Sequence, residues 1–291
     1  MAHTSRTPAD LVIHPRNVTF PVVDASKRWW NAGDPIATAY FNSLSITFPP
    51  GEGFFIRSVR HFRNAVPAPL KAQIDDFIRQ ESVHSREHAS FNDQPRKAGY
   101  DVSAIENDVA QRLGETKNNP PIVNLAMTVA LEHFTAILAH ASLNRKQHMP
   151  GVAPEIAALW KWHAIEEIEH KAVAFDTFMA VTQDMPRFKR YALLRVVMWR
   201  VSRAFVVARM RNMRHFFVQD GINTTGTWIR TLNYLWIYPG VLRRILPAWL
   251  AFFRPGFHPW NIDDRALVKQ HEAELQAVPS YNDGLAANAA R

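Results

Sequence analysis

Along most of the chain, apolar residues recur at spacings of three and four, the period of helices buried on one face. Residues 1–34 are the first exception. Pro8, Pro15, Pro21 and Gly33 break any long period there, so a strap packed on the body is expected, with a short extended piece over 18–23. Residues 35–48 then have the spacing of a short helix, ended by Pro49-Pro50-Gly51. Phe55, Val59 and Phe62 mark a second helix from residue 52, stopped by Pro67. A long helix is predicted over 68–96, between Pro67 and Pro95, and a polar connecting helix over 101–114. Pro120-Pro121 opens the most apolar helix of the front half, 122–146. Another follows over 154–183, closed by Asp184-Met185-Pro186.

The last third differs in kind. Residues 186–260 hold thirteen Arg and Lys but a single acid, Asp220, set among Leu, Val, Trp, Phe and Met. Neither apolar run there offers about 20 clean residues, so a spanning helix is disfavoured. Basic, aromatic-rich amphipathic helices suit an anionic membrane surface instead. No nucleic-acid motif accompanies the charge, and nucleic acid is not expected as a partner. The organisation predicted is a strap (1–34), a helical bundle (35–185), basic apolar helices packed on it (186–278) and a disordered tail (279–291).

Composition narrows the chemistry. The 291 residues carry a formal net charge of +8, and residues 186–260 account for all of that excess. There is no cysteine, which excludes disulfides, thiolate metal sites and a cysteine nucleophile. Any metal must be held by His, Glu and Asp. No apolar run of signal-peptide length opens the chain, so a cytoplasmic protein is expected, peripheral at the inner face of the membrane if the basic helices bind there.

Charged residues interrupt the apolar faces at a few positions. Glu52 opens the second helix. The third carries Glu81-x-x-His84 with His88 on the same face, near Phe77 and Phe91. Glu132 is the only acid between residues 123 and 143, and so apolar a helix requires a partner for it. His133 lies about 100° around the helix from Glu132, as a satisfied or supporting histidine. Finally, 162–171 reads Trp-His-Ala-Ile-Glu-Glu-Ile-Glu-His-Lys. His163, Glu167 and His170 share one arc, Glu166 flanks it on the other side, and Glu169 points away and is expected to be solvated. The wheel alone does not choose between Glu166 and Glu167.

In chain order these are a Glu, a Glu-x-x-His, a Glu and a second Glu-x-x-His, each on its own helix. That is the arrangement of a two-metal carboxylate site in a four-helix bundle, and its i, i+3 spacing favours Glu167. Two nearby cations need bridging carboxylates and a nitrogen donor apiece. The expected ligands are Glu52, Glu81, His84, Glu132, His163, Glu167 and His170. His88 is either a further ligand or a group that orients one, and Glu166 is given a supporting role.

The segments Phe48-Pro49-Pro50-Gly51-Glu52 with Phe54 to Arg60, Gln80-Glu81-x-x-His84-x-Arg86-x-His88, and Trp162 to Lys171 resemble a bacterial family labelled predicted metal-dependent hydrolase. The resemblance covers roughly residues 12–260. It implies an all-α, ferritin-like four-helix bundle with a dinuclear metal site, here with added C-terminal amphipathic helices. The pattern His163-x-x-x-Glu167-x-x-His170 is also similar to that of di-iron N-oxygenases acting on aryl amines, which implies a third nitrogen ligand at His163.

The leading expectation is a non-haem di-iron oxygenase or oxidase with two Fe ions, or Mn/Fe. It would use O2 and an electron donor on an apolar or lipid-like substrate. Met127, Thr128, Ala130, Phe134 and Thr135 are the expected pocket lining. The alternative is a two-metal hydrolase, with Zn, acting on an ester, amide or phosphoester. A non-catalytic iron-binding or membrane-associated protein is the third class.

Overall fold

Asp34 starts the helical body. Its carboxylate accepts from the backbone N–H groups of Ile36 and Ala37 and so caps helix α1 (Pro35–Ser45). The computed structural model describes residues 7–21, 27–145 and 148–289, and among these it is helical throughout, without a strand. Helix α2 (Phe48–Arg60) starts one turn before Glu52, because Pro49 and Pro50 sit at its first positions, where a missing N–H costs nothing. Glu52 is thereby a buried helical residue and not a solvated first-turn charge.

Helix α3 (Ala68–Phe91) ends at Asn92, whose side chain turns back to Ser45, and α4 (Asp93–Lys97) continues the line through Pro95. After α5 (Ser103–Glu115) comes α6 (Pro121–Leu143), started by Pro121. It is the one described helix long and apolar enough to cross a membrane, but most of it is buried in the body.

The helix expected over 154–183 is two: α7 (Pro154–Glu169) and α8 (Val173–Val181). His170 takes a bridge-region conformation (φ −98°, ψ 4°) between them. No Pro or Gly marks the turn. It accompanies burial of Lys171, whose ammonium reaches Asp264 at 2.6 Å and the Ile262 carbonyl at 2.8 Å.

Helices α2, α3, α6 and the α7–α8 pair pack on one another around a polar cluster. Two apolar cores flank it: the His84 ring lies 4.8 Å from Trp162, and the His170 ring 4.9 Å from Phe77. The basic last third forms α9 (Arg187–Gln219), α10 (Thr225–Trp236), α11 (Val241–Ala251) and α12 (Arg265–Gln276). Of these, α9 packs on α1 and α6, α11 on α6, and α12 on α7.

The tail expected to be disordered instead forms α13 (Pro279–Ala289). Its Tyr281 is buried, with its ring 6.3 Å from Phe20 of the N-terminal strap, and that contact orders it. The strap crosses the body without regular structure, burying Ile13, Val18 and Phe20. Residues 18–21 form no strand. Residues 22 and 23 of the expected extended piece lie outside the described residues, as do the last two of the tail.

Candidate metal centre

Seven buried side chains converge between the helices: Glu52 from α2, Glu81 and His84 from α3, Glu132 from α6, His163 and Glu167 from α7, and His170 at its end. Their donor atoms fall into three overlapping groups able to hold a cation. These are Glu52–His84–His163, Glu81–His84–Glu167 and Glu81–Glu132–His170. The Nε2 of His170 lies 3.2 Å from Glu81, 3.3 Å from Glu132 and 3.5 Å from Glu167. The Nδ1 of His84 lies 3.7 Å from Glu167 and 3.9 Å from Glu81.

The hydrogen bonds behind the three histidines decide which nitrogen each presents. The Nε2 of His84 meets Glu166 at 3.0 Å. A carboxylate only accepts, so Nε2 carries the proton and Nδ1 offers its lone pair to the cluster. The Nδ1 of His170 meets the carbonyl oxygen of Gln80 at 3.0 Å, an orientation set by the Gln80 amide N–H donating to Glu169 at 2.8 Å. Its Nε2 therefore also faces inward, where the carboxylates of Glu132 and Glu167 favour a positive charge on it.

His163 is set by a longer chain. The Asn92 amide donates to the Ser45 carbonyl, leaving its oxygen to accept from the Ser45 hydroxyl at 2.7 Å. With that hydroxyl proton committed, His88 Nδ1 must donate to Ser45 Oγ (2.8 Å), and His88 Nε2 must accept from His163 Nδ1. The remaining lone pair, on His163 Nε2, points at Glu167 Oε1 only 2.7 Å away. Two lone pairs that close require positive charge between them, a proton in the metal-free chain or a metal ion in its place.

The carboxylates have the same need. Both oxygens of Glu52, Glu81 and Glu132, one of Glu167, and the inward nitrogens of His84 and His170 have no hydrogen-bond partner. Burial, reinforced by the neighbouring acids, pushes Glu52 and Glu81 well above the usual carboxylate range; burial pushes Glu132 up to about 7. Burial opposes ionisation of Glu167 too, but the imidazoles of His163 and His170, wherever they carry a proton in place of a metal, outweigh it and hold its carboxyl well below that range. Four acids cannot all ionise in one dry cluster without added positive charge. Divalent ions supply it, and a carboxylate–imidazole donor set suits Fe, Mn or Zn.

A family model described as predicted metal-dependent hydrolase matches residues 14–263. The chain belongs to that family. No curated protein and no solved structure matches it. Family membership supports metal dependence, and the geometry above shows which side chains converge as candidate ligands.

Several supporting residues escape sequence reasoning. Arg16, on the strap, donates to Glu166 at 3.1 Å and to Glu169 at 2.7 Å, so one guanidinium anchors the groups that orient His84 and His170. Glu169 is buried in this role, contrary to the expectation that it is solvated. Its side of α7 faces away from the cluster, but the strap covers that side. Gln80 and Ser45 are likewise silent in the sequence, although Gln80 adjoins Glu81.

His133 does not support the centre. Its Nε2 lies 3.2 Å from the Ala248 carbonyl and its ring packs against Phe252 and Phe257, on the far side of α6. Burial lowers it to about 4. His88 stands behind His163 with both nitrogens engaged.

A cavity of about 120 Å³ reaches the centre at His163 and Glu167, with Phe41, Phe48, Leu138 and Phe205 in its wall. Of the expected lining residues only Thr135 borders it. Met127, Thr128, Ala130 and Phe134 do not, because the cavity lies further along α6, at Leu138 to Ser142. Phe134 instead stacks on Phe205.

Proposed function

We propose that the chain is a dinuclear metal-dependent hydrolase acting on an ester, amide or phosphoester of an apolar substrate. One observation carries the metal reading: three imidazoles, each tied from behind, turn their lone pairs onto four buried carboxylates. Glu52, Glu81, Glu132 and Glu167 would supply oxygen ligands, and His84, His163 and His170 nitrogen ligands. Two divalent ions held there provide Lewis acidity and lower the pKa of a bound water towards neutrality. Family membership supports hydrolysis as the use of that chemistry. Glu167 borders the cavity, so a substrate bound there would lie beside this ligand. The apolar wall excludes bulk solvent and positions the substrate.

A second reading is favoured by the third imidazole and the all-glutamate carboxylates. In it the centre holds two Fe ions, or Mn/Fe, and uses O2 and an electron donor to oxidise the same substrate. Metal analysis and paired assays separate the two. Cleavage of chromogenic acyl or phosphoryl esters by the Zn- or Mn-loaded protein, without O2 uptake by the Fe(II) form, supports hydrolysis. Stoichiometric O2 uptake by the Fe(II) form, with a transient visible absorbance and no ester cleavage, supports oxidation.

We propose an anionic membrane surface, at the cytoplasmic face, as the partner of the last third. Phe188, Trp199, Ile237 and Tyr238 are exposed in this third, which also carries Arg190, Arg200, Arg243 and Arg244, a combination of apolar and cationic side chains suited to acidic headgroups.

A further inference from the structure

The cavity beside the metal centre has two chemically different ends. At the inner end are His163 and Glu167, both buried. The wall between is aromatic and aliphatic, with Phe41, Leu44, Phe48, Leu138 and Phe205. At the outer end are the half-buried Arg145 and the exposed Arg244.

Neither arginine has an acidic partner among the described residues. Arg244 donates through Nε to the Pro239 carbonyl at 2.8 Å, which leaves its charge unmatched. Two more side chains of the same wall, Tyr40 and Trp160, keep their Oη and Nε1 buried without a hydrogen-bond partner. Their rings border the cavity and add to its aromatic wall.

We propose that this cavity binds a single-chain anionic amphiphile. Its carboxylate or phosphate sits on Arg145 and Arg244, and its chain lies along the aromatic wall towards His163 and Glu167. Guanidinium groups fit both head groups through paired N–H donors, and an apolar slot with few convergent polar groups is the usual form of a small-molecule site. The assignment rests on the metal-centre reading only for which end of the ligand reacts.

The test uses the full, metal-free chain and calorimetric titration with dodecanoate, dodecanol and dodecyltrimethylammonium below their micelle concentrations. Dodecanoate should bind at least tenfold more tightly than dodecanol, and the cation should not bind. Arg145→Gln/Arg244→Gln should weaken dodecanoate at least tenfold and dodecanol less than twofold. Leu138→Trp, filling the slot, should abolish both. Each variant is first checked for native helical content, and the glutamines keep polar side chains at the solvent end so that folding is retained.

Equal affinity for the three ligands, or a double variant that binds dodecanoate like the parent, overturns the proposal. So does full binding by Leu138→Trp. Metal stoichiometry of the same chain after reloading with Zn or Fe(II) separates the two readings. A chain that binds metal but no amphiphile defeats this inference alone, and one that binds amphiphile but no metal defeats the metal centre alone.

Discussion

Glu166 holds His84 by a 3.0 Å contact between Oε2 and Nε2, and so turns the opposite ring nitrogen, Nδ1, towards Glu81 and Glu167. Although adjacent to Glu167 in sequence, Glu166 faces Arg16 and His84, and it belongs to none of the three cation-holding groups. Glu166→Ala removes the acceptor that sets the His84 tautomer. Metal affinity, measured against a chromogenic chelator, should fall about 10- to 100-fold, with Glu166→Gln retaining most of it because the amide oxygen still accepts. Unchanged affinity in the alanine variant would show that the tautomer is set elsewhere.

His163→Ala removes the lone pair that faces Glu167 at 2.7 Å. Loss of one metal per chain, or a changed spectrum of the metal-loaded protein, is expected. His88→Ala should give a milder effect, since His88 only holds the outer nitrogen of His163. A stoichiometry and spectrum identical to the parent in His163→Ala would remove His163 from the ligand set, and with it the observation favouring O2 chemistry.

Metal uptake should release protons. Glu132 is raised to about 7, and Glu52 and Glu81 well above the ordinary carboxylate range, so below neutral pH these carboxyls hold protons that a cation must displace. Apparent affinity should therefore rise from pH 5.5 to pH 8. Calorimetry in buffers of different ionisation enthalpy reads the proton count directly, and a count of zero at pH 6 contradicts the picture.

His133 provides a pH effect remote from the centre. Burial keeps it neutral down to about 4, while the unfolded chain takes up that proton near 6.5. The unfolded state thus binds more protons in this window, and stability present above pH 6.5 is lost as pH falls towards 4. The loss is on the order of 3 kcal/mol. Denaturant melts of His133→Gln should show a flatter acid limb and a full metal complement. Loss of metal in this variant would return His133 to the centre.

The exposed Ile237 and Tyr238 lie between Arg230 and Arg243 on the basic last third. Vesicles containing phosphatidylglycerol should sediment with the protein at low salt and release it as ionic strength rises. Ile237→Glu/Tyr238→Glu should weaken that association about tenfold or more, as expected from withdrawing two large apolar side chains from the interface. Equal sedimentation with neutral vesicles, or an inert double variant, would leave the basic face without this partner.

The helices that converge on the centre are legible in the sequence because prolines stand at their first turns and their charged residues keep i, i+3 or i, i+4 spacing. What a wheel reports is direction, and it does so correctly for His163, Glu167 and His170. It says nothing of what covers the other side. Glu169 points away from the centre and is nevertheless buried, because a strap some 150 positions earlier lies over it. His133 points away and finds a carbonyl of α11. The turn at His170 carries no breaker residue, since its cause is the tertiary contact of Lys171 with Asp264. The helix at 279–289 escapes notice for a similar reason: its ordering contact, Phe20 on Tyr281, joins the two ends of the chain.

Arg16 also meets Glu272 at 2.8 Å, so residues near both ends of the chain close on each other beside the acids that orient His84 and His170. Contacts of such separation form only after most of the polypeptide exists. During synthesis the bundle helices emerge first, and Arg16 meets its complete set of carboxylates only once residue 272 has cleared the ribosome. A chain interrupted before residue 272 would hold Glu166 and Glu169 against an arginine one partner short.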